Sequence, residues 1–370
     1  MIEDTEDWKL LDWGLLENAE VVEDILLTGA GFTRDFGGFL AQEVWSQVYN
    51  HREVGCCPQL LSTLRKNFDY ESVYHEVFRE KSYKEEDRKA MNQAILEAYQ
   101  NLDEEVRELR KTVGRISVNG VRDLISRFEG KQNRVGFVFS LNQDLFVERH
   151  ITLSFPWVNN WPKGERQLDL KKDCIRLPDE GELNARQVRQ PLRNERLVYI
   201  KLHGSSNWQT YDGKQQMVIG LEKERDIARE PMLRSYAAIF KMVLTKAKRL
   251  LVIGYSFRDE HINRAIALAI AECRNPNLEL YVVSPERPDL FMERLCGEQV
   301  HSFGMPEKIP HGKYLGEKVK GYFPYTLAEV FPPDGESLPW KLIRRRVFPW
   351  TIVNLSSVSK IFPRYFLYHS

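Results

Sequence analysis

The chain has 370 residues, of which 42% are hydrophobic and 29% charged, with Lys plus Arg equal to Asp plus Glu. That composition is ordinary for a globular protein and supplies one large domain with an insertion, or two domains. Zero net charge excludes a global electrostatic drive toward nucleic acid and leaves only local basic patches.

No stretch approaches the roughly 18–20 consecutive apolar residues of a membrane span. The acidic start "MIEDTEDWKLLDW" lacks the basic and apolar regions of a signal peptide. The cysteines, Cys56, Cys57, Cys174, Cys273 and Cys296, are odd in number and form no Cys-x-x-Cys. That pattern argues against a disulfide framework and a structural zinc site, and it fits a reducing cytoplasm.

In chain order, Asp24 to Thr28 reads as a short buried strand, followed by Gly29-Ala30-Gly31. The segment "FLAQEVWSQVYN" then has helical spacing. A strand that ends in glycines and feeds a helix suits a phosphate-bearing nucleotide. Gly29 and Gly31 have no side chain to block approach, and their amides are expected to face a pyrophosphate. The stretch "GAGFTRDFGG" is not a full G-x-G-x-x-G, because Arg34 holds the third glycine position. A tight strand-to-helix turn is the alternative reading.

From about His51 to Gly130, segments such as "FDYESVYHEVF" and "EDRKAMNQAILEAYQ" have helical periodicity and few strand formers, which predicts a helical insertion. Arg134 to Asn142 returns to strand character. Trp157 to Pro191 is rich in Asn, Pro, Gly and charge and is expected to form loops. "RLVYIKLHG", "RLLVIGYS" and "LELYVVSPE" follow as strands, with "MLRSYAAIFKMVLTKA" and "DEHINRAIALAIAECR" as helices among them. Strands alternating with helices predict an α/β fold with a parallel sheet covered on both faces. From about Lys313 the chain turns aromatic, Pro-rich and basic. Packing against the core or another subunit is one reading, and nucleic-acid contact through Arg344, Arg345 and Arg346 is the other.

In an open parallel sheet, ligands bind at the carboxyl ends of the strands. Those ends carry Gly29-Ala30-Gly31, then Asn142 and Asp144, then His203, then Ser256 and Asp259. Asp144 also suits a helix N-cap. His261 reads as a surface histidine or a neighbour of the site, and Glu148 and His150 lie beyond the strand end.

"GAGFT", "SLNQD", "KLHGS" and "VIGYSFRDEHIN", in this order, resemble the motifs of the sirtuin-like superfamily. They are closest to the bacterial sirtuin-like NAD hydrolases of antiphage defence. The resemblance runs from Asp24 to Glu286, interrupted by the helical insertion. It implies a Rossmann-like NAD site and cleavage of the bond between nicotinamide and ribose, with NAD as substrate and no metal. Gly29, Ala30, Gly31, Phe32 and Thr33 match the pyrophosphate loop. Asn142 matches a residue that orients water or a ribose hydroxyl, Asp144 faces the nicotinamide side, and His203 matches the base. Gly254, Ser256 and Asp259 match the later cofactor-contacting motif, which His261 and Asn263 extend.

The chemistry suits these types. Nicotinamide is a good leaving group and the transition state is oxocarbenium-like, so a placed nucleophile and a neutral imidazole matter more than a strong acid. The zinc module of true sirtuins is missing, with the helical insertion in its place, and "TRDFGGF" stands where their Pro-Asp-Phe-Arg segment would follow the glycine loop, which puts deacylation in doubt.

The sequence therefore predicts a sirtuin-like catalytic domain over 1–50 and 131–310, a helical insertion over 51–130, and a segment for packing or assembly over 311–370. The resemblance implies NAD glycohydrolysis, controlled through homo-oligomerisation or, as in the resembling systems, a HerA-type ring ATPase partner. A protein deacylase or ADP-ribosyltransferase, or an NAD- or ADP-ribose-binding scaffold of a DNA-acting complex, are the alternatives.

Overall fold

The computed structural model describes residues 20–21, 23–108, 114–130, 134–151, 175–181, 183, 196–210, 213–271, 275–296, 298–300, 306–308 and 312–348. Cys174, Cys273, most of the expected loop region 157–191 and the chain beyond 348 lie outside them.

The strands in chain order are β1 (Glu20–Val21), β2 (Asp24–Thr28), β3 (Arg134–Ser140), β4 (Ile175–Arg176), β5 (Leu197–Lys201) and β6 (Gly204–Gln209). They continue as β7 (Gln215–Met217), β8 (Arg249–Ile253), β9 (Glu279–Val283), β10 (Glu298–Val300), β11 (Pro306–Lys308) and β12 (Val319–Phe323). The central sheet is ordered β5-β3-β2-β8-β9-β12, and every pair in it is parallel. β1 also pairs with the start of β3. With these six strands numbered in chain order, the row reads 3-2-1-4-5-6, the arrangement of dinucleotide-binding doubly wound sheets. The fold is thus α/β and Rossmann-like.

The sequence dictates this layering. β2, β3, β5, β8 and β9 are nearly continuous apolar runs whose residues are buried on both faces, which only a sheet covered by helices on both sides accommodates. The helix Pro231–Lys246 buries Met232, Leu233, Tyr236, Ile239, Phe240, Val243 and Leu244, at helical spacing, and Phe240 meets Phe139 of β3 edge to face.

Between β2 and β3, after two 3-10 turns, the described regular structure is helical, from Ala41–Tyr49 to Val118–Ser126. The longest helix, Glu85–Arg107, opens with Glu85, Glu86 and Asp87, which favour its positive end. Asp87 accepts from the Lys84 amide at 2.9 Å. This helical part is tied to the sheet at several points. Phe36 stacks on Phe146, with centroids 4.1 Å apart. His150 Nε2 lies 2.6 Å from the Val106 carbonyl, and Arg149 pairs with Asp103.

The boundary expected at residue 310 cuts through the sheet. β12, from beyond it, forms the edge strand beside β9. Its short, half-buried "VKGYF" was overshadowed by the aromatic and basic character around it. The same segment reaches both the insertion and the turn after β2: Ser117 N donates to the Phe331 carbonyl at 2.8 Å, and Ala328 N to Asp35 Oδ2 at 2.7 Å. In the helix Leu338–Val347, Arg344 pairs with Glu336, while Arg345 and Arg346 are exposed. No described helix is long and apolar enough to cross a membrane.

Candidate functional site

The carboxyl ends of β5, β3, β2 and β8 lie side by side, and the strand order reverses at β2. The loops after these four strands therefore form one rim at the switch point, where a doubly wound sheet opens a crevice.

At the centre of the rim two glycine turns meet backbone to backbone. Gly29 N donates to Ile253 O at 3.0 Å and Gly31 N to Gly254 O at 2.9 Å. A Cβ on Gly29 would stand 2.7 Å from Gly254 O, and one on Gly31 would stand 2.8 Å from Gly254 Cα. Gly254 has φ +66, and a Cβ there would fall 2.3 Å from Phe32 N. The glycines are thus required for contact between two loops. This corrects the expectation that the Gly29 and Gly31 amides face a ligand: both are already bonded across the turn. The chain then runs into 3-10 turns at Ala30–Phe32 and Arg34–Phe36, and the first α-helix begins only at Ala41. Gly254→Ala combines left-handed strain with a backbone clash and is expected to destabilise the fold by about 1–3 kcal/mol. A urea unfolding midpoint matching the parent would contradict that packing.

Next to this contact, Thr33 links β2 to the loop after β3. Its hydroxyl donates to Asp144 Oδ2 at 2.9 Å, and Asn142 Nδ2 lies 3.4 Å from its Oγ1. The Asn142 backbone amide is held by Ser140 Oγ at 3.1 Å. Asn142 Oδ1 is buried with no hydrogen-bond partner among the described residues. An unpaired buried acceptor costs about 1–3 kcal/mol, so it marks a place where a donor is needed. Asp144 is buried, and its other oxygen accepts from Phe146 N at 3.0 Å, opening the short helix Phe146–His150. Burial pushes the Asp144 carboxyl up, against the pull of Lys201.

Lys201, at the end of β5, is fully buried. Its ammonium donates to Asp144 O at 2.5 Å, Glu148 Oε1 at 2.7 Å and Ser205 Oγ at 2.9 Å. Burial also pushes the Glu148 carboxyl up, with Lys201 opposing. The sequence reading gave Glu148 no role and did not single out Lys201. Lysine inside "VYIKL", an otherwise apolar strand, was the signal that could have exposed a buried ion pair.

His203, two residues on, is buried and faces His261, with Nε2 to Nε2 at 3.0 Å. Burial holds the His203 imidazole well below its usual range, so it is neutral at pH 7; Asp259 opposes this shift. Burial likewise lowers His261, to about 4. Asp259 is bound by Lys223 at 2.5 Å, and Lys223 also reaches Glu71 of the insertion at 2.9 Å. Burial alone would raise the Asp259 carboxyl, but Lys223 and the two histidines outweigh it and hold it below the carboxylate range.

His203, Asp259 and His261 bring ligand-type atoms within 4.8 Å of one another, the one such group among the described residues. The Lys223 ammonium already occupies the cation position beside Asp259. The loop is braced by Tyr255, whose hydroxyl donates to Asn263 Oδ1 at 3.0 Å, and by Asn263 Nδ2, which donates to the Phe257 carbonyl at 2.6 Å; Phe257 has φ 58. Ser256 is exposed, and its carbonyl accepts from Arg294.

The structure therefore groups Asn142, Asp144 and Thr33 on one side and His203, His261 and Asp259 on the other. His261, which the sequence left at the margin, touches the candidate base. It was missed because a helix-start histidine two residues after Asp259 has no periodic reason to face another strand end.

Residues 137–302 match the model of the SIR2-like domain family. The matched segment holds Asn142, Asp144, His203, Gly254, Ser256 and Asp259 and leaves out Gly29 to Thr33. No curated protein matches the chain. Among solved structures, a Sir2 homologue mutant in complex with 2'-O-acetyl ADP ribose is 12% identical, covers 93% of this chain and 98% of its own, and has a TM-score of 0.39. A structure titled for the mechanism and regulation of Sir2 enzymes is 13% identical, covers 80% of this chain and 91% of its own, and has a TM-score of 0.30. Residues 137–302 are thus similar to a SIR2-like domain, and their strands lie in a Rossmann-like sheet that draws further strands from before and after them.

Proposed function

We propose that the chain hydrolyses NAD to nicotinamide and ADP-ribose. One observation carries the reading: a buried amide oxygen in need of a donor, Asn142 Oδ1, and a neutral buried imidazole, His203, stand on adjacent strand ends to one side of the switch point of a dinucleotide-type sheet. Departure of nicotinamide needs no strong acid, because the ring leaves from a positively charged state. The amide oxygen accepts a hydrogen bond from the attacking water or a ribose hydroxyl, and His203 takes the proton. Such a base contributes typically 10²–10⁴-fold. Asp144, held by Thr33 and Phe146, lies beside Asn142, where a negative group favours developing positive charge.

The proposal extends to control. An NAD hydrolase that ran freely would exhaust the cell's cofactor, so activity is gated by assembly with further copies of the chain or with a ring ATPase of the HerA type, in antiphage defence. The test is nicotinamide release from NAD by the purified chain, alone and with such a partner. Release only in the presence of a protein or peptide acceptor would support a deacylase or transferase instead. Binding of NAD with no release in any assembly would overturn the hydrolase reading.

A further inference from the structure

His203 and His261 face each other through their Nε2 atoms at 3.0 Å, so one ring donates to the other. The direction follows from the role proposed for His203. A base must carry a lone pair, and the His203 nitrogen that faces His261 is Nε2. A neutral imidazole with its lone pair on Nε2 is protonated on Nδ1. His261 must then present Nε2–H, and it donates into the lone pair that the proposed reaction uses.

His203 is enclosed by its burial, and the contact with His261 occupies its Nε2. Resting on the hydrolase reading, we propose that His261 is a latch on the candidate base: it occupies His203 Nε2 in the resting chain, and substrate attack requires its displacement. The latch sits where it can be moved. His261 lies in the first turn of the helix Glu260–Ala271 and is half-buried, whereas His203 is buried. The residue before that helix, Asp259, is tied through Lys223 to Glu71 of the helical insertion. A shift of the insertion therefore pulls on the loop that carries the latch. The charged groups facing His261 are Asp259, Lys223, Glu224 and Arg264. Glu224 and Arg264 pair with each other across the outer side.

Two measurements on the full chain test this. In the first, nicotinamide release without any partner is compared for the parent, His261→Ala and His261→Gln. Freeing the lone pair removes one hydrogen bond from the ground state only, so His261→Ala is expected to raise kcat about three- to tenfold. His261→Gln, whose amide still donates, is expected to rise less. A fall in kcat in His261→Ala, with an unchanged thermal unfolding midpoint, overturns the latch, because it makes His261 a helper of the base. In the second, ¹⁵N spectra of histidine-labelled protein read the ring tautomers without turnover. The parent should show His203 protonated on Nδ1 with a hydrogen-bonded Nε2, and His261→Ala should move that Nε2 to an unbonded position. An unmoved Nε2, or His203 protonated on Nε2, overturns the latch whatever the activity. A moved Nε2 with no nicotinamide release from any variant supports the contact and overturns the hydrolase reading alone.

Discussion

Nicotinamide release is expected to fall about 10²–10⁴-fold in His203→Ala, with NAD binding close to that of the parent, because in the proposed reaction the residue acts on a proton and not on the bulk of the dinucleotide. Asn142→Ala should show the same split, since in the proposed reaction its buried oxygen orients the group that loses the proton. The pH profile gives an independent check. Only neutral His203 is a base, and burial lowers its pKa well below the usual imidazole value. Its neutral form therefore persists as pH falls through the ordinary imidazole range, and the acid limb of kcat/KM should lie below about 6.5. Full release in either alanine variant would remove that residue from the chemistry. An acid limb at or above the ordinary imidazole value would show that His203 is not held neutral by its surroundings.

The second large effect is on stability. Lys201→Ala leaves Glu148 and the Asp144 carbonyl buried without their shared donor, and Glu148 Oε2 is already unpartnered among the described residues. Breaking one side of a buried pair costs about 3–5 kcal/mol. Replacing both sides by apolar groups of similar size is often neutral, so Lys201→Met with Glu148→Leu should recover most of the loss. Urea unfolding of the parent, the single variant and the double variant measures both values. A single variant within about 1 kcal/mol of the parent would mean that the network relaxes around the gap. The pair lies under the loop that carries Asn142 and Asp144, so the double variant also asks whether folding and turnover can be separated there.

The sheet was legible because its strands are short apolar runs closed by glycine or polar clusters, and their alternation with helices leaves few topologies. The rim was legible too: Asn142, Asp144, His203 and Asp259 occur where such runs end. Three things were not. The Gly29 and Gly31 amides are spent on Ile253 and Gly254, about 220 residues away in sequence, and no local pattern encodes that contact. β12 is half-exposed and short, with an interrupting glycine, so neither alternation nor an apolar run marks it. Lys201, Lys223 and His261 owe their roles to partners on other elements. A charged residue read alone defaults to a solvated surface, and only the fold reveals that Lys201 is enclosed.

The tie from Glu71 through Lys223 to Asp259 has a consequence for how the molecule comes apart. With Phe36 on Phe146, His150 against Val106 and Ser117 bonded to Phe331, it ties the segment between β2 and β3 and the candidate rim into one packed unit. Excising residues 51–130 would strip Lys223 of one carboxylate and uncover the apolar faces beneath, so the helical region is not a detachable module. Local melting there would reach the rim before it reached the far strands of the sheet, and loss of activity on warming should precede loss of sheet structure.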